Sequence, residues 1–76
     1  MNNYLNTNEK IDFLNQKIQS IIIEIEYCEK VMIDPTIAPK DESISNDIIL
    51  SEFNEYLFKL KEKKDFYYSL IDNLRQ

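Results

Sequence analysis

The fold is decided by residues 11–32, which are IDFLNQKIQSIIIEIEYCEKVM. Apolar side chains recur there at alternating spacings of three and four, the a/d pattern with which a helix buries one stripe against another helix. This first seam consists of Ile11, Leu14, Ile18, Ile21, Ile25, Cys28 and Met32. A second seam with the same spacing consists of Leu50, Phe53, Leu57, Leu60, Lys64, Tyr67, Ile71 and Leu74.

A segment containing Pro35 and Pro39 separates the two seams. The pattern predicts an all-α fold, a single antiparallel two-helix hairpin over residues 1–76 that resembles a coiled coil. We expect helix 1 at about 8–33, a turn at 34–43 and helix 2 at about 44–75. The helices run antiparallel, because a ten-residue link cannot return along a helix of about 40 Å.

The helix boundaries are predicted from capping residues. Asn6 with Glu9 fits a capping box at the start of helix 1, and Thr7 is an alternative cap. For helix 2, Asp41, Ser43 and Ser45 can all cap, and we take Ser43.

The turn fixes the register between the helices. The expected neighbours are Cys28 with Phe53, Ile25 with Leu57, Ile21 with Leu60, Ile18 with Lys64, Leu14 with Tyr67 and Ile11 with Ile71. Lys64 has two interpretations: a buried polar residue that fixes the register, or a side chain whose stem packs while its amine reaches water.

More apolar side chains are present than the seams can bury. We predict a second, partner-binding surface formed by Ile23, Tyr27, Val31, Tyr56, Phe58 and Phe66. Of these, Ile23, Tyr27 and Val31 repeat every four residues on helix 1, and Phe58 with Phe66 is expected to project from one side of helix 2. The alternative is that an AT-rich genome has raised the Phe and Tyr content, and that single aromatic residues are tolerated at the surface.

No pattern of catalytic, cofactor-binding or metal-ligating residues stands out. The chain has no histidine to activate Cys28 as a nucleophile or to bind a metal, so we expect this cysteine to fill the core and predict no enzyme activity and no cofactor. It has no glycine for a phosphate-binding loop. A net charge of −5 argues against nucleic acid as a partner, and no apolar run approaches the roughly 20 residues of a membrane span.

Two resemblances add expectations. Ser51-Glu52-Phe53-Asn54-Glu55 resembles the Ser-Gln-x-x-Asp motif of small phosphatases that act on sporulation response regulators, although only Ser51 matches. Over most of its length, the chain is similar to short helical-hairpin proteins of marine tailed phages, through Glu9-Lys10-Ile11-x-Phe13, Pro35-Thr36 and Leu50-x-x-Phe53. This resemblance implies a phage product and no catalytic residues.

Together these features predict a non-catalytic subunit that interacts with protein. Its partner is expected to be a second copy or a larger assembly, which makes the chain a homo- or hetero-oligomer, with neither nucleic acid nor membrane involved. The expected role is that of a minor virion or assembly protein of a low-GC phage, located in the cytoplasm of the producing cell or in the virion. The alternative is a small regulator that binds a signalling or host protein, with a response-regulator phosphatase as a third option.

Overall fold

The structure is a computed structural model that describes residues 6–39, 41 and 43–76. It contains a long helix α1 (Thr7–Ile33), a single 3-10 turn (Pro35–Ile37) and a second long helix α2 (Asn46–Arg75), and the described residues include no strand. Glu24 of α1 contacts Tyr56 of α2, and Tyr27, further along α1, lies beside Phe53, which is earlier in α2. The two helices are therefore antiparallel. The predicted all-α helical hairpin is confirmed.

The start of α1 is fixed by the predicted capping box. The Asn6 side-chain oxygen accepts a hydrogen bond from the Glu9 backbone N–H at 2.8 Å, and the Glu9 carboxylate accepts from the Asn6 N–H at 3.1 Å. Each bond satisfies a backbone donor that the first helical turn would leave unpaired. Asn6, and not Thr7, is therefore the N-cap.

The predicted cap of α2 is wrong by two residues. The Ser45 hydroxyl accepts from the Ile48 N–H at 3.3 Å, and the helix begins at Asn46. Ser43 instead donates twice to the Asp41 carboxylate, from its N–H at 2.9 Å and from its hydroxyl at 3.0 Å. These bonds lower the pKa of Asp41, and they occupy the hydroxyl that would have capped a helix at residue 44.

Most of the predicted seam forms the core. A central cluster contains Ile21, Ile25, Cys28 and Leu60, with Phe53, Leu57 and Tyr67 packed against it. A second cluster, near the chain ends, contains Leu14, Ile18 and Ile71, with Ile11, Tyr67 and Leu74 among its neighbours. Five of the six expected pairs therefore lie within a common cluster, all except Ile18 with Lys64.

Cys28 and Lys64 are the two seam positions that carry a reactive or charged group, and they differ in burial. Cys28 is 1% exposed and packs in the central cluster, which confirms it as core filler. Burial, followed by the charges of Glu24 and Glu29, raises the pKa of its thiol. Lys64 is only half-buried, and none of the described buried residues is polar or charged, so its interpretation as a buried register device is wrong.

The seam changes position close to the turn. Val31 is fully buried against Ala38 and Ile49, whereas the expected seam residue Met32 is only half-buried. Ala38, which directly follows the 3-10 turn, and Ile49, in the first turn of α2, pack against this flank of α1 and bury Val31 beside the seam. Val31 is therefore a core residue, and its prediction as part of a partner-binding surface is wrong.

Candidate protein-binding surfaces

The hairpin is a slab of 52 × 25 × 15 Å with one broad surface on each side of the seam. One surface, here called the grooved face, contains Lys10, Phe13, Lys17, Glu24 and Tyr27 from α1 together with Tyr56, Lys59, Lys63, Phe66 and Leu70 from α2. Groove linings place all of these residues except Phe66, which shares their alternating three-and-four spacing along α2. The opposite surface, here called the back face, is identified by Phe58, Lys61 and Glu29.

An apolar groove crosses the grooved face near the turn end of the hairpin. Ile23 and Tyr27 form one wall and Tyr56 the other, over a floor that includes Phe53 and the edge of Cys28. The rings of Tyr27 and Phe53 are tilted at 59° with centroids 6.1 Å apart, an edge-to-face type of contact. Ile23 nevertheless remains 66% exposed.

A hydrogen bond joins the two helices beside this groove. The Tyr56 hydroxyl donates to the Glu24 carboxylate at 2.9 Å. Since the bond favours the neutral phenol, it is the main reason that the pKa of Tyr56 is raised. The bond joins the two helices at the edge of the groove, where Tyr56 of α2 lies beside Glu24 of α1.

The middle of the grooved face is basic. Lys17, Lys59 and Lys63 line a second depression there, with the Tyr67 ring at its base. Lys17 also lies over the Phe13 ring, with its amine 5.3 Å from the centroid, within the range of a cation–π contact. Lys59 pairs with Glu55 at 3.2 Å along α2, an exposed ion pair that contributes little to stability.

The back face presents a single prominent ring. Phe58 is 63% exposed and lies in a shallow depression with Asn54, Leu57 and Lys61. Lys61 reaches across the seam to Glu29, with 3.9 Å between amine and carboxylate. This long exposed contact shows that Glu29 and Lys61 share one side of the hairpin, away from Glu24 and Tyr56.

The six residues predicted to bind a partner therefore separate into three groups. Ile23, Tyr27 and Tyr56 meet at one groove although they come from different helices, a grouping that the sequence pattern did not show. Phe58 lies on the back face, whereas Phe66 follows the spacing of the grooved face and has its ring 6.0 Å from that of Tyr67. The expectation that Phe58 and Phe66 project together is wrong, because eight residues of an α-helix advance by about 80° beyond two full turns.

Sequence reasoning missed the clustering of lysines. Lys59 and Lys63 are separated by four residues on α2, and Lys17 joins them only because the antiparallel register brings residue 17 level with residue 63. Within one helix they resemble an ordinary solvated surface. The cluster can be recognised only when the register between the two seams is used to find which charged residues of α1 and α2 lie at the same level.

The fold and its exposed grooves define a small helical-hairpin protein with open surface grooves. Comparison with known proteins gives no closer assignment. The chain matches no protein-family model, no curated protein and no solved structure. In the part of the chain that the structure describes, no helix is long and apolar enough to cross a membrane. The same residues include no group of three or more side chains arranged to hold a metal ion.

Proposed function

We propose that this chain is a non-catalytic interaction subunit that docks on protein through its exposed apolar side chains. The observation that carries the proposal is the apolar groove, where Ile23, Tyr27 and Tyr56 are 66%, 41% and 47% exposed although they lie side by side. Isolated apolar residues are common on protein surfaces, but contiguous groups of them characterise interaction sites.

The size of this patch indicates how much of an interface it can supply. Three large side chains, each about half exposed, present about 300 Å² of mostly apolar surface. At about 25 cal/mol per Å², complete burial would contribute about 7 kcal/mol, which is within the range of about 4–15 kcal/mol lost in association. The groove can therefore be the centre of an interface, but stable binding requires further contacts around it.

The proposed setting is an assembly, with the chain as a minor virion or assembly protein of a low-GC phage. This part of the proposal is supported by the amino-acid composition, which is rich in residues with AT-rich codons such as Ile, Asn and Lys and contains no glycine, and by the sequence resemblance to phage hairpin proteins. It predicts that the chain remains with a large particle when the producing cells are lysed and fractionated by size.

The experiment uses an affinity-tagged chain expressed in its producing cells and native mass spectrometry of the complexes that are recovered. Ile23→Asp places a charge in the groove and should release the partner without loss of helicity. Ile48→Asp is the matched control, because Ile48 is also exposed, at 53%, but lies outside the groove. If Ile23→Asp retained the same partner in the same amount as the control, the groove would not be the binding site.

A small regulator is the second candidate, and one observation favours it. Among the described residues, α2 presents four exposed aromatic rings and α1 only two. The four are Tyr56, Phe58, Phe66 and Tyr68. A regulator would use α2 to bind one soluble signalling or host protein, so recovery of a small defined complex in place of a large particle would favour this role.

A further inference from the structure

The two broad faces of the hairpin carry opposite charges. The grooved face holds four exposed lysines, Lys10, Lys17, Lys59 and Lys63, and two carboxylates: Glu24, which accepts the hydrogen bond from Tyr56, and Glu52, which precedes Tyr56 by four residues in the same three-and-four spacing. Glu55, which pairs with Lys59, lies at the outer edge of α2. The grooved face therefore remains positive in a chain whose net charge is −5.

The acidic groups collect on the back face. Alternating steps of three and four residues from Glu29 lead to Glu26 and Asp12 on α1, and the same steps from Lys61 lead to Asp65 and Asp72 on α2. All five carboxylates are exposed, and of them only Glu29 forms an ion pair within the described residues. Lys61 and Arg75 are the cations of this face, so its net charge is negative.

The apolar groups of the two faces also correspond in position. The contacting pairs Glu24–Tyr56 and Tyr27–Phe53 have residue numbers that add to 80, and the pair Glu29–Lys61 has numbers that add to 90. Position j of α2 is therefore level with a position between 80 − j and 90 − j of α1. Phe58 on the back face is then level with residues 22–32, a range that includes Ile23 and Tyr27 of the groove. Asp65 is level with residues 15–25, a range that includes Lys17.

We propose that the grooved face of one hairpin binds the back face of a second copy pointing in the same direction, so that Phe58 enters the apolar groove and the acidic back face meets the lysines. This proposal rests on the proposed function, because it names the partner of the same groove. Each copy then retains one unused face, and the contact is heterologous and continues into a stack or a ring. A broad face of 52 × 25 Å is large enough to bury the roughly 800 Å² per partner that a standard interface needs.

The test uses two variants that each block one face. Ile23→Asp damages the groove and leaves the back face intact, and Phe58→Asp does the reverse. We expect the unmodified chain to form a concentration-dependent series of species beyond the dimer in sedimentation velocity. Each variant alone should associate at least tenfold more weakly, and an equimolar mixture should form a 1:1 dimer that grows no further, since only one productive pair of faces remains.

Controls separate loss of association from loss of folding. Ile48→Asp changes an exposed isoleucine that lines neither the apolar groove nor the depression around Phe58, and it should associate as the unmodified chain does. Helicity is checked for each variant by circular dichroism, and a variant that fails to fold is replaced by Ile23→Gln or Phe58→Gln, which adds no charge. About 1 M salt, at which charges are screened beyond roughly 3 Å, should weaken the association at least tenfold.

Three results would overturn the proposal. One is a chain that remains monomeric at every concentration, and another is a mixture of the two variants that forms no dimer. The third is normal association of Phe58→Asp with loss of association of Ile23→Asp, since two grooved faces would then be paired with each other. A monomeric chain that still recovers a different protein through its groove would overturn self-stacking and leave the proposed interaction function in place.

Discussion

Ile21 and Ile23 are two residues apart on the same helix, and an aspartate at each position should have opposite consequences. Ile21 is 6% exposed and packs in the central cluster with Leu60, whereas Ile23 is 66% exposed at the groove. We expect Ile21→Asp to unfold the hairpin and Ile23→Asp to leave it folded. The pair is a matched test, because the intrinsic helix propensity changes equally at both positions.

The magnitudes separate the two variants clearly. Removing a buried isoleucine side chain costs about 2–5 kcal/mol, and an unpaired carboxyl group in the core adds several kcal/mol more. A domain of 76 residues has a total stability of about 4–11 kcal/mol, so Ile21→Asp removes most or all of it. At Ile23 only about a third of the side chain is covered, and the loss is about 0.5–1 kcal/mol.

The assay is urea unfolding followed by far-ultraviolet circular dichroism in dilute solution, where association does not contribute to stability. With a slope of about 1 kcal/mol per M of urea, Ile23→Asp should shift the midpoint by about 1 M or less. Ile21→Asp should show no folded baseline. Equal midpoints for the two variants would refute the assignment of helix faces, and so would greater damage from Ile23→Asp.

Two further predictions concern the cap of α2 and the interhelical hydrogen bond. Ser45→Ala should destabilise the hairpin by about 1 kcal/mol, because it removes the acceptor for the Ile48 N–H. Ser43→Ala should destabilise it by less than about 0.5 kcal/mol. Urea midpoints in the reverse order would contradict the assigned cap. The hydrogen bond to Glu24 raises the pKa of Tyr56 in the folded state. The stabilising contribution of this bond is therefore complete below the ordinary tyrosine pKa of about 10 and is lost as the pH rises through the raised pKa. The difference in melting temperature between the unmodified chain and Tyr56→Phe should therefore be constant from neutral pH to about pH 9 and decrease above about pH 10. A difference that increased with pH would contradict this reasoning.

The hairpin and most of its core could be predicted from the sequence, because a/d periodicity and two prolines restrict the chain to two antiparallel helices. The errors lie where local competition decides the outcome. Ser43 and Ser45 are equally good caps by residue type, and only the bonds from Ser43 to Asp41 select Ser45. Val31 lies one residue from the expected seam position, and its packing against Ala38 and Ile49 near the turn decides that it is the buried side chain.

The candidate site could be predicted only in part, for a different reason. A periodic pattern describes one helix at a time, and it correctly marked Ile23, Tyr27 and Tyr56 as surplus to the core. It placed Tyr56 and Phe58 in one predicted surface, although in the structure Tyr56 bonds to Glu24 across the seam and Phe58 lies on the back face. Which exposed residues form one surface depends on the register between the helices, and that register becomes known only when both seams are aligned.

The arrangement of charge also limits how two copies can meet. A two-helix hairpin buries only the seam between its helices, so covering either broad face adds the burial that so small a chain lacks. Pairing two grooved faces in the same direction would place α1 of one copy against α2 of the other and bring Lys17 against Lys63, a like-charge contact that opposes association. Placing Phe58 in the groove instead sets Asp65 close to these lysines, and apolar burial and charge then favour the same geometry. The net charge of −5 conceals this division, because it averages a basic face and an acidic face that are expected to act as complementary surfaces.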